Sequence, residues 1–277
     1  MSLVTMRELL RHARAENRAV GAFSVSSVDM ICGVVRAAEA LKTPVILQVA
    51  QVRLPHSPLH VIGPAMLTAA RNAAVPVGVH LDHGTTEDCI REALELGFTS
   101  VMFDGSRLPM EENIVRTQAV VRMAEKYGAS VEAEIGVVGK TESGEALTAQ
   151  CADPGEAVRF ALETGVDALA VAIGNAHGVY EGTPELRFDV LERMQGCCGH
   201  TAFVLHGGTG ISAEDFRRAI GLGMHKINIA TASFMAVHQA AQGAGDYFDM
   251  LGRMSAAAEG VAREHIHIFG VAKEGLQ

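Results

Sequence analysis

Short apolar runs rich in valine, isoleucine and alanine recur along the chain, and segments with helical periodicity separate them. This alternation is typical of repeated βαβ units around a buried parallel sheet. It predicts eight strands, at residues 19–25, 44–49, 75–81, 100–103, 130–135, 168–173, 202–205 and 226–229. Helices are predicted at residues 30–41, 87–96, 113–127, 154–164 and 213–222.

Eight β/α pairs in a chain of 277 residues predict an α/β fold of the TIM (β/α)8 barrel type, in which chemistry lies at the carboxyl ends of the strands. Nothing between the units resembles a linker, so we expect a single domain over residues 1–277. An extra C-terminal helix is predicted at residues 246–264. The longer loops, residues 50–59, 136–153 and 175–185, are where substrate contacts usually lie.

Composition narrows the partners and the compartment. The net charge of −9 disfavours nucleic acid, whose phosphates it would repel. The amphipathic N-terminal segment lacks the apolar stretch of a signal peptide, and no apolar run reaches about 18 residues, which predicts no membrane association. The five cysteines are odd in number and lack CxxC spacing. They predict neither a disulfide framework nor a cysteine zinc site, and they favour a cytoplasmic protein.

Three histidines follow apolar runs of the strand type: His83 in VGVHLDHG, His177 in ALAVAIGNAHG and His206 in AFVLHGG. If these runs are parallel strands of one barrel, their ends meet on one face and the imidazoles can surround one ion. Three nitrogen ligands with an open position are typical of catalytic divalent metal sites, usually zinc. Asp82, beside His83, supplies an acid/base group.

Two carboxylates end the fourth and fifth predicted strands, Asp104 in MFDGS and Glu134 in EAEIG. They face the same mouth and are expected either to hold a second metal position or to orient the ligand histidines by hydrogen bonds. A helix cap or an internal salt bridge is the alternative. His80 shares a strand face with Asp82, which predicts a polar residue inside the barrel.

Two segments are suited to an anion. The Gly207-Gly208-Thr209-Gly210 turn follows the seventh strand, and Asn228-Ile229-Ala230-Thr231 ends the eighth at the start of a helix. TIM barrels commonly bind phosphate between these loops, through backbone N–H groups and a helix N-terminus.

A metal beside a phosphate site suits chemistry in which the ion stabilises an enediolate formed as a C–C bond breaks or a proton leaves. Hydrolysis by metal-activated water is the other interpretation. A Schiff-base mechanism is disfavoured because no lysine is predicted at the end of a strand.

Together, the motifs GAFSV, HLDHG, DGS, VEAEIG, AIGNAHGVY, HGGTG and KINIAT, in this order over nearly the whole chain, closely resemble those of the class II, zinc-dependent fructose-bisphosphate and tagatose-bisphosphate aldolases. The resemblance implies a lyase that cleaves a ketose 1-phosphate or 1,6-bisphosphate to dihydroxyacetone phosphate and an aldehyde. The implied zinc ligands are His83, His177 and His206. Asp82 is implied as the proton donor to the aldehyde-derived oxygen.

The resemblance also implies the remaining site residues. Asp104 and Glu134 match carboxylates near an alternative metal position, and Glu142 matches an acidic residue that takes a proton from the three-carbon ketone. A sodium or potassium ion beside the phosphate and a homodimer or homotetramer are further implications. The residues that match the phosphate-binding segments are Gly178, Gly207, Gly208, Thr209, Asn228, Ile229, Ala230 and Thr231.

Three departures from the family bear on the substrate. Many relatives read FNVNN where this chain has FSVSS, and they carry a serine where it has Ala50. The Asp-Pro-Arg before the last helix of bisphosphate-cleaving relatives is replaced by Asp246-Tyr247-Phe248. We therefore hypothesise that the aldehyde half lacks a phosphate or carries a carboxylate near Arg53 and His56.

Two other functions stay open at this point. A TIM-barrel metallohydrolase is disfavoured because the HxH ligand pair usual on a first strand is missing. A non-catalytic sugar-phosphate-binding subunit is disfavoured because Asp82 and all three histidines are present.

Overall fold

A computed structural model describes residues 2–138, 150–180, 182 and 184–270, which fold around a closed barrel of eight parallel strands. The strands are β1 Val20–Ser24, β2 Val45–Ala50, β3 Val77–Gly84, β4 Ser100–Phe103, β5 Ser130–Ile135, β6 Ala168–Val171, β7 Ala202–Leu205 and β8 Met224–Ile229. They pair in chain order, and β8 closes the barrel against β1. The predicted TIM barrel is confirmed.

The helices surround this barrel. They are α1 Met6–Ala15, α2 Val28–Ala40, α3 Leu59–Asn72, α4 Glu87–Leu96, α5 Met110–Glu125, α6 Pro154–Thr164, α7 Phe188–Met194, α8 Ala213–Gly221, α9 Thr231–Gln242 and α10 Tyr247–Phe269. No helix of the described part is long and apolar enough to span a bilayer. Several begin at a side chain that accepts a hydrogen bond from the N–H three residues on, namely Thr5, Ser27, Thr86, Asp153, Ser212 and Asp246.

Several predicted strands and helices agree with the structure at both ends. Strands β4, β5 and β7 and helices α4 and α6 have the predicted bounds. Strand β3 extends beyond its predicted end at residue 81 to Gly84. Helices α3 and α7 were not predicted, because α3 contains Pro64 and α7 is only seven residues long.

The two ends of the barrel interior differ in polarity. Helix α1 covers the amino end with Met6, Leu9 and Leu10, which pack on apolar residues of the strands. Towards the carboxyl ends the buried side chains become polar, and they are Gln48, His80, Asp82, Glu132, Glu134, Lys226 and Asn228. Most of the charge buried inside the barrel therefore lies towards the carboxyl end, where TIM-barrel chemistry is found.

Candidate active site

The three predicted histidines meet at this mouth. His83 is the penultimate residue of β3, His177 lies in the loop after β6, and His206 directly follows β7. The centroids of their rings are 4.6 Å (His83–His206), 5.0 Å (His83–His177) and 5.8 Å (His177–His206) apart. One ring nitrogen of each lies within 4.8 Å of the others, an arrangement that can hold a metal ion.

The backbone of β3 is distorted where it presents the first histidine. His83 has a φ of 44°, in the left-handed region, and the β3–β4 register shifts between Leu81 and Gly84. Such a conformation costs about 1–3 kcal/mol in a residue other than glycine and occurs mostly at functional sites. The irregularity allows Asp82 and His83, neighbours in sequence, both to contribute to one pocket.

Carboxylates fix the orientation of two of the rings. His83 Nδ1 lies 2.8 Å from Asp104 Oδ2, and His206 Nε2 lies 2.9 Å from Glu132 Oε1. The remaining nitrogens, His83 Nε2 and His206 Nδ1, face each other at 3.0 Å. Metal-binding histidines typically give their other N–H to a carboxylate in this way. A metal ion in this pocket would therefore meet Nε2 of His83 and Nδ1 of His206.

The charges around the pocket shift the pKa values of its histidines in opposite directions. Burial holds the pKa of His206 well below its ordinary value, and His83 lowers it further. Burial also lowers the pKa of His83, but the carboxylates of Asp82 and Asp104 outweigh it and raise that pKa well above the ordinary value. A metal ion binds the neutral imidazole and displaces this proton.

Asp82 is fully buried and accepts hydrogen bonds from two amides. Gln48 Nε2 donates to Oδ2 and Asn228 Nδ2 donates to Oδ1, each at 3.1 Å. Gln48 also donates to Ser24 Oγ at 3.1 Å. The two amides fix the carboxylate in one orientation beside the histidines, as a group that transfers a proton requires.

Asp104 and Glu134 both belong to the pocket. Asp104 receives hydrogen bonds from Ser106 N and Ser106 Oγ on its second oxygen. Burial raises the pKa of Glu134 well above its ordinary value, and the charge of Asp104 raises it further. Glu134 Oε2 lies 3.4 Å from His206 Nδ1 and has no hydrogen-bond partner in the described residues. The contact of Asp104 with His83 fits the predicted orienting role, and the group of His83, Asp104 and Glu134, with donor atoms within 4.8 Å of one another, fits the predicted second metal position.

The loops after β6 and β7 are in close contact. Gly207 has a φ of 66°, and a Cβ there would lie 2.0 Å from the carbonyl oxygen of Ala176. Asn175 Nδ2 donates to the His206 carbonyl at 3.0 Å. Tyr180 Oη accepts from Ala176 N at 2.9 Å and donates to the Gly207 carbonyl at 3.0 Å. These bonds hold His177 and His206 in a fixed relation.

We expect Tyr180→Phe to lower the free energy of unfolding by about 1–3 kcal/mol, because it leaves a half-buried N–H and a carbonyl without a partner. Urea denaturation measures this. The control is Tyr127→Phe, at a tyrosine that is 45% exposed at the end of α5, which should leave stability unchanged. Equal stability of the two variants would show that the Tyr180 bridge contributes nothing.

The predicted anion-binding segments adjoin the histidines. Helix α9 begins at Thr231, and its N-cap residue, Ala230, makes no side-chain cap hydrogen bond. Thr209 Oγ1 accepts from Ala232 N at 3.0 Å, and Gly208 N approaches the Asn228 carbonyl at 3.3 Å. These contacts hold the loop after β7 against the start of α9, so an anion there would lie beside a helix N-terminus.

Some functional residues were not predicted, and one prediction lies outside the description. Gln48, Glu132 and Lys226 were missed, although Glu132 precedes Glu134 by two residues and therefore shares its strand face. Glu142 lies outside the described residues. Arg53, predicted near the substrate, lies in a short 3-10 helix, Gln51–Arg53, after β2.

The donor set fits a divalent metal. Three imidazoles converge, two are oriented by carboxylates, and a buried oxygen of Glu134 with no hydrogen-bond partner in the described part faces the same space. Three imidazole nitrogens are a ligand set typical of zinc, which binds the neutral ring. The fold and this pocket thus define a barrel enzyme with a candidate metal centre.

Comparison with known proteins identifies the family. The family profile described as "Fructose-bisphosphate aldolase class-II" matches residues 4–274. A fructose-bisphosphate aldolase of Geobacillus stearothermophilus is 42% identical over 246 residues, 87% of this chain and 85% of that protein. A 6-phospho-5-dehydro-2-deoxy-D-gluconate aldolase of Bacillus velezensis is 37% identical over 287 residues, 100% and 99% of the two chains.

Solved structures agree. The YdjI aldolase from Escherichia coli superposes with a TM-score of 0.89 at 34% identity, over 98% of this chain and 99% of that chain. The chain belongs to the class II fructose-bisphosphate aldolase family. It is therefore an aldolase, a lyase, and the comparisons give no support to a metallohydrolase or a non-catalytic subunit.

Proposed function

We propose that this chain is a zinc-dependent aldolase that reversibly cleaves a ketose 1-phosphate or ketose 1,6-bisphosphate to dihydroxyacetone phosphate and an aldehyde. The observation that carries the proposal is the convergence of three imidazoles beside the buried carboxylate of Asp82. The three-nitrogen set supports zinc, and the resemblance to class II aldolases supports the reaction.

A zinc ion held by His83, His177 and His206 would polarise the ketone carbonyl and stabilise negative charge on its oxygen. Asp82 takes the proton of the C4 hydroxyl while the C3–C4 bond breaks, and the electron pair stays with the three-carbon fragment. In the reverse direction Asp82 returns the proton to the aldehyde oxygen. Gln48 and Asn228 keep its carboxylate aimed at this position.

Two further roles rest on the family resemblance. We assign to Glu142 the proton transfer at C3 of the three-carbon fragment. His83, Asp104 and Glu134 supply an alternative metal position, and the closeness of one donor atom from each, within 4.8 Å, supports this assignment.

We propose that the phosphate of the three-carbon half binds between the loops after β6 and β7 and the start of α9, beside a sodium or potassium ion. The start of α9 supports this, because its N–H groups carry partial positive charge and its N-cap residue, Ala230, makes no side-chain cap. The residues assigned to the site are Gly178, Gly207, Gly208, Thr209, Asn228, Ile229, Ala230 and Thr231.

The aldehyde half is proposed to be unphosphorylated or to carry a carboxylate that binds Arg53. The Arg53 guanidinium lies over the ring of Phe234 in α9, 5.6 Å from its centroid, and so has a defined direction at the barrel mouth. Phe248 occupies the register of the distal-phosphate arginine and is 80% exposed. The Bacillus velezensis relative is named for a phosphorylated sugar acid, which supports an acidic substrate here.

The test is steady-state cleavage of a panel of ketose 1-phosphates, ketose 1,6-bisphosphates and 1-phosphates with a terminal carboxylate, with dihydroxyacetone phosphate measured as product. We expect the highest kcat/KM on the neutral or acidic 1-phosphates, and loss of turnover after chelation that zinc restores. A strong preference for bisphosphates would overturn the distal-half proposal. Full activity without metal would overturn the zinc proposal, and phosphate release without dihydroxyacetone phosphate would indicate a hydrolase.

The same substrate panel, assayed with the Arg53→Gln variant, tests the role of Arg53. We expect this substitution to raise KM for carboxylate-bearing substrates about 10-fold, the size of one lost charge-assisted hydrogen bond, and to leave neutral substrates unchanged. The control is Arg218→Gln in α8. The guanidinium of Arg218 lies over the Phe188 ring, 4.2 Å from its centroid, and the side chain is 57% exposed in the outer layer of helices. Equal KM changes for both substrate classes would remove Arg53 from recognition.

The chain is further proposed to work in the cytoplasm as a homodimer or homotetramer. All five cysteines are free thiols, which suits a reducing compartment. The oligomeric state rests on the family resemblance, and analytical ultracentrifugation tests it.

A further inference from the structure

A second polar layer lies inside the barrel beneath the histidine pocket. His80, Glu132 and Lys226 are each 0% exposed. The ammonium of Lys226 and the carboxylate of Glu132 lie 2.9 Å apart. Burying such a pair costs several kcal/mol per ion, and apolar residues of similar volume often give equal or greater stability. Packing alone therefore does not explain why this barrel contains the pair.

Lys226 contacts two residues that lead to the active site. Its Nζ forms an ion pair with Glu132 Oε2 and donates a hydrogen bond to Asn228 Oδ1 at 2.7 Å. An ammonium has three donors and no acceptor, so the atom of Asn228 that faces it must be the carbonyl oxygen. Lys226 thereby determines which way the Asn228 amide points.

The first connection ends at a proposed metal ligand. Glu132 uses its other oxygen, Oε1, to bind His206 Nε2 at 2.9 Å. This contact directs His206 Nδ1 towards the pocket. Because Glu132 Oε2 is held by the ammonium, the position of Lys226 sets the position of the carboxylate that orients the ligand.

The second connection ends at the proposed acid/base group. With Asn228 Oδ1 turned to Lys226, its Nδ2 must turn to Asp82 Oδ1, which it meets at 3.1 Å. The reversed amide would place an oxygen against the Asp82 carboxylate and an N–H₂ against the ammonium, two repulsive contacts in a buried site.

We infer that Lys226 is a positioning residue that sets both His206, through Glu132, and Asp82, through Asn228. His80 flanks the pair, with Nδ1 2.9 Å from Ser100 Oγ and Nε2 3.6 Å from Glu132 Oε2. The inference rests on the proposed function, since it assigns its two connections to a metal ligand and to a proton-transfer group.

The test is Lys226→Met, which keeps the length of the side chain without its charge. We expect zinc affinity, measured on metal-free protein by competition with a chromophoric chelator, to fall about 10–100-fold, as for other residues that support a ligand. At saturating zinc we also expect kcat to fall about 100-fold, because Asp82 loses its fixed orientation. The matched control is Lys126→Met, at an exposed lysine that should change neither quantity.

Double-mutant cycles separate positioning from general destabilisation. In a Glu132→Gln background, Lys226→Met should change zinc affinity little further, and in an Asn228→Ala background it should change kcat little further. If Lys226→Met alone does not fold, the zinc affinity and kcat of the Glu132→Gln/Lys226→Met double variant are compared with those of Glu132→Gln. The double variant does not leave the Glu132 carboxylate buried without its counter-ion. The absorption spectrum of the cobalt(II)-substituted protein reports the ligand geometry directly.

Wild-type zinc affinity and kcat in Lys226→Met would overturn the inference. So would effects of Lys226→Met in the Glu132→Gln and Asn228→Ala backgrounds that are as large as its effects in the wild-type protein. These results would leave the proposed function standing, because that depends on the loss of zinc in His206→Ala. Zinc binding by His206→Ala would instead remove the proposed function and the inference with it.

Discussion

The Asp82→Ala variant is expected to cleave the ketose phosphate about 10²–10⁴-fold more slowly than the wild-type enzyme while binding zinc with similar affinity. Asp82 is buried beside the histidines and is held by Gln48 and Asn228. We propose it as the group that accepts the hydroxyl proton as the C–C bond breaks. Among the described residues its hydrogen bonds go to these two amides and to no ligand ring, so we expect the metal pocket to stay intact without it.

Release of dihydroxyacetone phosphate and zinc content, measured on the same preparation, test this expectation. Asp88→Ala is the control, because Asp88 is an exposed residue in the first turn of α4 and should leave both quantities unchanged. Asp82→Asn keeps the shape of the side chain and should be nearly as slow as Asp82→Ala. Cleavage at the wild-type rate in either Asp82 variant would exclude this residue from the proton transfer.

The second large effect is expected for His206→Ala, which should lose both zinc and cleavage. His206 presents Nδ1 to the pocket, 3.0 Å from His83 Nε2, and two imidazoles do not complete a tetrahedral site. A metal contributes several kcal/mol to the stabilisation of developing charge, so its loss should lower kcat/KM by about 10³-fold or more.

Titration of the metal-free variant with zinc, together with the cleavage assay, checks this result. His200→Ala, at an exposed histidine before β7, is the control and should behave as wild type. Glu132→Gln should lie between the two, with weakened but measurable zinc binding, because it removes the orienting carboxylate and leaves the ligand. A His206→Ala protein that retained wild-type zinc affinity would contradict the assigned ligand set.

The sequence predicts the barrel because its parallel strands are buried on both faces and so appear as continuous apolar runs between helices. The same property predicts where the histidines converge, since a residue that follows such a run must lie at the carboxyl mouth. His83, His177 and His206 are more than 20 residues apart in every pair, yet they meet there. Helix α3 was missed because Pro64 interrupts its periodicity.

The supporting residues were harder to predict because they lie within strands. Glu132 and Lys226 interrupt apolar runs and face the barrel interior, where a polar residue has no signature of its own. The two-residue spacing of Glu132 from Glu134 and of Lys226 from Asn228 places each pair on one face, and this was the available signal. Which carboxylate meets which histidine depends on barrel register: Glu132 and His206 are 74 residues apart.

We expect three imidazoles of this chain to bind one zinc ion, His83 through Nε2 and His206 through Nδ1. A crystal of the zinc-loaded protein, with diffraction recorded on both sides of the zinc absorption edge, tests it most directly. We expect an anomalous peak about 2.0–2.1 Å from these two atoms and from a ring nitrogen of His177. A peak elsewhere, or one bound by Nε2 of His206, would contradict it.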